Sequence, residues 1–330
     1  MRTIIIAEAG INHNGSIKSA FKLIDAAKYT GADIVKFQMA VPEEVMTPSA
    51  TKANYQKRNY KDKETQLEMV KRLLININYF SRIKNYCIKK KIKFLCSPFD
   101  EKSLKELIKL KVDTIKIPSG EITNVPLLEK IGKTSKKIIL STGMSNLKEI
   151  LFAIKILIKK GTKRKNISVL HCNTAYPSPF EDLNLGGIKI LKKKLKLKIG
   201  YSDHSIGIEG SIAAVAYGAE IIEKHLTLNN NLKGPDHKSS LNPKDFRNMV
   251  KCIRNIEKAK GYLIGKTKSE KQNFRIVRRS IVAIKDIQVG EKFTSNNIGC
   301  KRPMLGIPAE RWQKILNKKS KKNYKKNQFI

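Results

Sequence analysis

One pattern recurs along roughly the first 260 residues and leaves few folds open. A short β-branched run breaks into polar side chains, and an amphipathic helical stretch follows it. The expected strands are Thr3–Glu8, Ile34–Gln38, Lys93–Ser97, Thr114–Pro118, Lys137–Ser141, Ile167–Cys172, Lys198–Ser202 and Glu220–His225. Between them, apolar residues at three-and-four spacing predict helices such as Ile17–Tyr29, Glu64–Lys90, Ser103–Lys111, Leu147–Lys160, Ile208–Gly218 and Pro243–Gly261. Eight strand–helix units in this length have the size and rhythm of a (β/α)8 barrel of the α/β class. An open doubly wound sheet is the rival. It calls for a glycine-rich phosphate turn after the first strand, and Gly10-Ile-Asn-His-Asn-Gly15 does not have the GxGxxG form.

The remaining segments set the domain boundaries. Gln38 to about Lys63 lacks periodicity and is long for a loop, which suggests a functional lid. Residues 262–275 are polar and read as a linker. Beyond them, two strand-like pieces, Ser280–Ile284 and Glu291–Thr294, precede the turn-rich Lys301-Arg-Pro-Met-Leu-Gly-Ile-Pro308. The expectation is a barrel over 1–261, a linker over 262–275 and a small domain over 276–330.

A net charge of +39 would ordinarily suggest a nucleic-acid partner. Here the lysines are spread over every expected helix, with no aromatic-interleaved groove and no binding motif. The densest run, Lys318–Lys326, lies at the C-terminus. No specific nucleic-acid partner is expected, although such a field favours a small anionic substrate. No apolar run approaches the roughly 20 residues of a membrane span, and the start of the chain turns acidic at Glu8, too early for a signal peptide. Five cysteines without CxxC spacing suit a reduced cytoplasm.

In a parallel barrel the chemistry sits where strands end. The eight ends deliver Glu8, then Asn12, His13 and Asn14; Lys36 and Gln38; Ser97; Lys116, Ser119 and Glu121; Ser141 and Thr142; Asn173, Thr174 and Tyr176; Ser202 and His204; and His225. Lysines and hydroxyls suit phosphate, and two neutral imidazoles suit a divalent ion, with Asp203 and Asp236 nearby in sequence. A lysine in this lysine-rich chain is ordinarily a solvated surface group. Lys36, in Ile-Val-Lys-Phe-Gln, and Lys116, in Thr-Ile-Lys-Ile-Pro-Ser, have apolar flanks that point them into a barrel mouth instead. For Glu8 a structural ion pair with Lys36 is the rival to a catalytic role.

Several of these runs together carry a family resemblance. They are Ala7-Glu-Ala-Gly-Ile-Asn-His-Asn-Gly15, Val35-Lys-Phe-Gln38, Ile115-Lys-Ile-Pro-Ser-Gly-Glu121, Ile139-Leu-Ser-Thr-Gly-Met144, Tyr201-Ser-Asp-His204, Glu223-Lys-His225 and Gly234-Pro-Asp236. In order and in content they resemble the sialic acid synthase family, and the segment around Lys301-Arg-Pro303 looks like that family's antifreeze-like (SAF) domain. The resemblance implies condensation of phosphoenolpyruvate with an open-chain N-acylated hexosamine to a nonulosonic acid and phosphate. It implies that Lys36, Ser97, Lys116, Ser119, Ser141, Thr174 and Ser202 hold phosphoenolpyruvate. His204 and His225 would bind Mn2+ or Mg2+, with Glu8 close by. Gln38, Glu121, Tyr176 and Asp236 would hold the sugar, and Arg302 would reach its N-acyl group across a domain-swapped homodimer. Either Glu8 or Glu121 would activate the attacking water. Thr174 departs from relatives that carry Asn there. The shared motifs leave the product open among N-acetylneuraminic, legionaminic and pseudaminic acids. A barrel that binds sugar without turnover and a basic nucleic-acid-associated protein are the alternatives.

Overall fold

The computed structural model describes residues 2–59 and 63–330. The part of the expected lid at 60–62 therefore lies outside the described residues. The chain divides into two compact units, Met1–Lys260 and Gly261–Ile330.

Eight parallel strands make the first unit: β1 (Ile4–Gly10), β2 (Ile34–Met39), β3 (Lys93–Pro98), β4 (Thr114–Ile117), β5 (Lys137–Ser141), β6 (Ile167–Cys172), β7 (Lys198–Asp203) and β8 (Ile221–His225). Their order is β3-β2-β1-β8-β7-β6-β5-β4, with the β1–β8 ladder closing the ring and β3 lying beside β4 without one. This is the expected barrel, and the open doubly wound sheet is excluded by the β1–β8 pairing.

Side chains alternate across each strand, so the barrel has an inside and an outside set. Outward, Ile5, Ala7, Val35, Phe37, Ile115, Leu140, Val169 and Ile199 join the buried faces of the surrounding helices in one large core. Inward, Ile6, Leu95, Ile139, Leu170 and Ile221 form a separate apolar plug. Two residues further along β1, β3, β5 and β8 the interior turns polar, with Glu8, Ser97, Ser141 and Glu223. Gly200, on β7, is part of the plug's geometry. A Cβ there would stand 2.5 Å from both the Ile221 carbonyl oxygen and Leu170 Cδ2, closer than any side chain tolerates.

Helix boundaries follow local caps. Ser16 accepts from the Ser19 amide to start Ile17–Thr30, and Asn146 with Glu149 forms a capping box on Leu147–Lys159. The continuous helix expected over Glu64–Lys90 is instead two, Gln66–Leu73 and Phe80–Lys89. Leu74 is extended, and the Asn76 side chain takes the Asn78 amide, so the backbone is captured outside the helical pattern.

In the second unit β9 (Ser280–Ala283) pairs antiparallel with β10 (Ile298–Lys301) over a core of Ile281, Ile287, Phe293 and Ile298. The strand expected at Glu291–Thr294 shortens to an isolated antiparallel bridge, Lys292 with Lys319, in which the Phe293 amide donates to the Lys318 carbonyl at 2.9 Å. On the opposite edge the Asn297 side chain accepts from the Thr294 amide at 2.7 Å and donates to the Lys292 carbonyl at 2.9 Å, so those two groups are paired locally and the bridge does not grow into a strand. The polar stretch 262–275 contains most of a helix, Lys268–Val277, started by a Thr267–Glu270 capping box. No helix among the described residues is long and apolar enough to cross a membrane.

The plug generates a stability prediction. Gly200→Ala forces β7 and β8 apart, so it should cost roughly 1–3 kcal/mol and lower the urea midpoint of the barrel. An unchanged midpoint would show that the seam is looser than described.

Candidate active site

Directly above the plug lies a layer of charge. Lys36 and Lys116 are 4% and 2% exposed, and both point inward. Between them sits Glu223, whose Oε1 is 2.8 Å from Lys36 Nζ and 3.3 Å from Lys116 Nζ, and accepts from the Ser202 hydroxyl at 3.0 Å. Glu8 adds a second carboxylate 3.2 Å from Lys36. Ser97 and Ser141 enter the same layer from β3 and β5, and their buried hydroxyls make no hydrogen bond.

The charges set one another's ionisation. Burial would raise the Glu223 carboxyl, but Lys116 and Lys36 hold it well below the usual range. Burial would lower Lys36, yet Glu223 and Glu8 outweigh it and keep the ammonium charged. Lys116, with one carboxylate partner and the Lys36 charge beside it, is lowered to about 8, chiefly by burial. Glu8 is raised, by burial first, against the pull of Lys36. Glu223 was not among the residues expected to carry function, although it belongs to the quoted Glu223-Lys-His225 run.

One step further up are His204 and His225, with ring centroids 5.6 Å apart. Burial lowers His204 to about 4 and His225 well below its ordinary value, so both are neutral at pH 7. The Asn173 carbonyl faces His204 Nδ1, which makes Nδ1 the donor and leaves Nε2 as a lone pair, 3.0 Å from the Tyr176 hydroxyl. His225 Nδ1 is buried without a hydrogen-bond partner, 4.0 Å from the Asp236 carboxylate. Asp236 is itself raised to about 7 by burial, with the Glu8 charge adding to it. Two neutral imidazoles, one oriented by a backbone carbonyl, with carboxylates beside them, fit a hard or borderline divalent cation. Among the described residues no three His, Cys, Asp or Glu groups already gather in ligating geometry.

Gly10 holds this end open. Its φ is +50°, and a Cβ there would stand 3.1 Å from Glu8 Oε1, 3.4 Å from His225 Cε1 and 3.5 Å from Gln38 Nε2. Those three groups therefore converge on a space that only glycine leaves free. Gln38 also donates to Glu8 at 3.0 Å.

The other expected residues divide. Ser119 accepts from the Gly143 amide at 3.0 Å, and its hydroxyl lies 3.2 Å from Cys172 Sγ. Thr174 crowds the same glycine, so Ser119, Cys172 and Thr174 form one wall of the mouth. Tyr176 stacks on His204, with centroids 4.1 Å apart. Glu121 accepts from Asn124 at 2.7 Å on its own turn, is raised by burial, and makes no hydrogen bond or ion pair with Glu8 or either histidine. Asp203 is not with the imidazoles. It follows Ser202 and precedes His204, so alternation turns it outward, where it pairs with Lys224 at 3.0 Å, both 0% exposed. Asn12 and His13 are buried supports, Asn12 donating to the Leu226 carbonyl and His13 stacking near Phe37. Arg302 is an exposed residue of the second unit.

Sequence comparison places the chain in a family. Residues 23–265 match the NeuB family and 278–330 match the SAF domain. The chain belongs to the NeuB family. This agrees with the sialic acid synthase resemblance of its strand-end motifs. An N,N'-diacetyllegionaminic acid synthase of Campylobacter jejuni is 49% identical to this NeuB-family chain over 330 residues, covering 100% of it and 99% of the relative. A pseudaminic acid synthase of Campylobacter jejuni is 34% identical, covering 98% and 93%. Among solved structures, an N-acetylneuraminic acid synthetase from Leptospira borgpetersenii in complex with citrate aligns with TM-score 0.74 and 36% identity, covering 83% of this chain and 90% of that one.

The central carboxylate generates a prediction. Glu223→Gln leaves two buried ammonium groups under-compensated, so it should destabilise the barrel by about 3–5 kcal/mol. Inorganic phosphate should recover part of that loss in a thermal melt. A midpoint within a degree or so of wild type would contradict the charge layer.

Proposed function

We propose that this NeuB-family chain condenses phosphoenolpyruvate with an open-chain N-acylated hexosamine to give a nonulosonic acid and phosphate. That it is a synthase of the sialic acid type follows from its family and from relatives matching nearly its whole length. The observation that carries the substrate assignment is the stacking of two layers. A buried cationic layer with unpartnered hydroxyls lies directly beneath two neutral imidazoles and an adjoining cavity.

In this arrangement Lys36 and Lys116 hold the phosphate and carboxylate of phosphoenolpyruvate, with Ser97, Ser141, Ser119, Thr174 and Ser202 donating hydrogen bonds. Gln38, Tyr176 and Asp236 orient the sugar's open chain. A divalent cation, Mn2+ or Mg2+, held by His204 and His225 would act there as a Lewis acid on the aldehyde. The methylene carbon of phosphoenolpyruvate forms the new bond to the aldehyde carbon, whose oxygen takes up a proton. Water adds to the cationic C2 and gives up a proton, and the adduct collapses by C–O cleavage, releasing phosphate and leaving the ketone. Of the two carboxylates expected to activate that water, Glu8 is the better placed. It faces the Gly10 opening with His225, whereas Glu121 is tied to Asn124. Holding both substrates in line supplies much of the rate.

Arg302 enters this scheme from a partner chain in a domain-swapped dimer, meeting the N-acyl group with its planar donor fork. The SAF segment is short enough to be marginal alone, which favours its being held by a larger surface.

Phosphate release from phosphoenolpyruvate and a hexosamine should vanish with EDTA and return with Mn2+ or Mg2+. His204→Ala should lose at least about a hundredfold in turnover. Full activity in the chelated protein would remove the cation from the scheme. Lys116→Ala should raise the phosphoenolpyruvate KM far more than Lys192→Ala, whose ammonium is an exposed partner of Glu220. Equal damage from both would mean no specific anion pocket.

Lys116 also gives a pH signature. A lysine lowered to about 8 is partly neutral above that pH, and a bound anion favours its charged form. Phosphoenolpyruvate binding should therefore take up a proton above about pH 8, seen as buffer-dependent heat in calorimetry, and Lys116→Met should abolish the uptake. For the dimer, inactive Arg302→Ala and Lys116→Ala chains should restore activity when exchanged into heterodimers. Subunit exchange without recovery would place Arg302 outside a shared site.

A further inference from the structure

The run Gly234-Pro-Asp236 continues into His237, and the turn after β1 carries Asn12 and Asn14. None of these three residues has a part in the proposed reaction, yet they belong to one polar network. His237 and Thr227 are fully buried, and the Thr227 hydroxyl lies 2.7 Å from His237 Nδ1. His237 Nε2 is 3.3 Å from the Asn14 side-chain oxygen. The Asn14 amide nitrogen donates to the Lys233 carbonyl at 3.0 Å, which turns that oxygen toward the ring. Burial lowers His237 to about 4, so the ring is neutral at pH 7 and carries one ring proton. An amide oxygen can only accept, so Nε2 holds this proton. Nδ1 then takes the Thr227 hydroxyl's proton, in preference to the Asn229 carbonyl at 3.0 Å. From its two nitrogens the ring ties the loop after β8 to the turn after β1. Gly234 lets the chain pass beside it. Its φ is +156°, and a Cβ there would stand 2.7 Å from His237 Cδ2 and 3.1 Å from Asn14 Oδ1.

The residue held by this network is Asp236. Its Oδ1 is buried and, among the described residues, makes no hydrogen bond, and its carboxylate lies 4.0 Å from His225 Nδ1. The carboxyl is therefore aimed by its backbone. The Asp236 carbonyl accepts from the Ser240 hydroxyl at 2.6 Å and the Ser239 hydroxyl at 3.1 Å. Ser240 Oγ accepts in turn from Asn12 Nδ2 at 2.9 Å, and the same amide donates to the Leu226 carbonyl at 2.9 Å. We infer that His237 is a positioning residue for the acceptor sugar: with Asn14 and Thr227 it clamps the loop after β8 and so sets where the Asp236 carboxyl points. The inference rests on the proposed condensation, in which Asp236 orients the sugar's open chain. A carboxyl without a hydrogen bond to hold it moves with its loop, and a misplacement of about 1 Å in an orienting group can cost on the order of a hundredfold in rate. Lys36 and Lys116 stand on β2 and β4, not on this loop. Loosening the clamp therefore weakens the sugar end of the site and spares the anion floor.

The test compares the full-length wild type with three variants. His237→Leu removes both ring contacts, and His237→Gln has an amide that can donate to Asn14 and accept from Thr227. Asn14→Gly is the gentler change, since Asn14 has a φ of +50° that glycine adopts freely. Crystal structures grown without substrates locate the Asp236 carboxyl. Phosphate-release kinetics use Mn2+, phosphoenolpyruvate and whichever of N-acetylmannosamine and 2,4-diacetamido-2,4,6-trideoxymannose the wild type turns over faster. In His237→Leu and Asn14→Gly the carboxyl should move by about 1 Å or more while His225 stays in place. His237→Leu should raise the sugar KM roughly tenfold and change the phosphoenolpyruvate KM by less than about twofold, and His237→Gln should recover most of the loss. In an Asp236→Ala background His237→Leu should add less than about twofold, because a residue acting through another is not additive with it. An Asp236 carboxyl in its wild-type place in both variants, equal rises in the two KM values, or full additivity overturns the inference while the condensation stands. No phosphate release from wild type with either sugar overturns the condensation. The crystal structures then decide the positioning alone, a displaced carboxyl supporting it and an unmoved one overturning it. If His237→Leu does not fold, Asn14→Gly carries the same comparison.

Discussion

Glu223 sits between two ammonium groups inside the barrel, and the rest of the site depends on that contact. Two lysines packed over an apolar plug repel each other and lose their hydration. The cost becomes bearable only with a carboxylate shared between them. Such a trio gives little net stability compared with an apolar layer of the same volume. What it supplies is a fixed, desolvated positive region that an anionic substrate meets with no reorganisation. Glu8 extends it to a second carboxylate, so the layer couples the anion site to the space around Gly10, where Gln38 and His225 also point.

The layers follow from strand alternation alone. Ile6, Leu95, Ile139 and Ile221 close the barrel floor, and two residues on, Glu8, Ser97, Ser141 and Glu223 occupy the next level. Two residues beyond those, Gly10 and His225 reach the mouth. Charge type thus changes with depth: apolar, then cationic and hydroxylated, then neutral imidazole. On the outer face the same rule packs Asp203 against Lys224 immediately behind His204 and His225, which pins the β7–β8 seam from which both imidazoles project.

Much of this was legible in the sequence. The strands β5 and β6 fall on the expected residues, and the other six differ by one or two positions at their ends. Lys36 and Lys116 were recognisable because β-branched flanks leave a lysine no solvent to reach. Glu223 was hidden because Glu223-Lys-His225 offers two adjacent charged residues before the histidine, which only strand alternation tells apart. Counting by twos from Ile221 would have put Glu223 and His225 on one face and Lys224 on the other. The same count separates Asp203 from Ser202 and His204. Short-range competition explains the rest. Asn76 and Asn297 take backbone amides with their side chains, so a helix breaks and a strand shrinks to a single bridge where hydrophobic pattern alone pointed otherwise.

The central claim is that the buried cationic layer is the anion-binding floor of a two-substrate site. A crystal structure of the protein grown with phosphoenolpyruvate and Mn2+ tests it most directly. The account predicts anionic oxygens of the ligand within hydrogen-bond reach of Lys36 Nζ, Lys116 Nζ and the Ser97 and Ser141 hydroxyls, beneath a metal held by His204 and His225. Phosphoenolpyruvate seated on surface lysines, with the Lys36–Glu223–Lys116 layer unliganded, would contradict it.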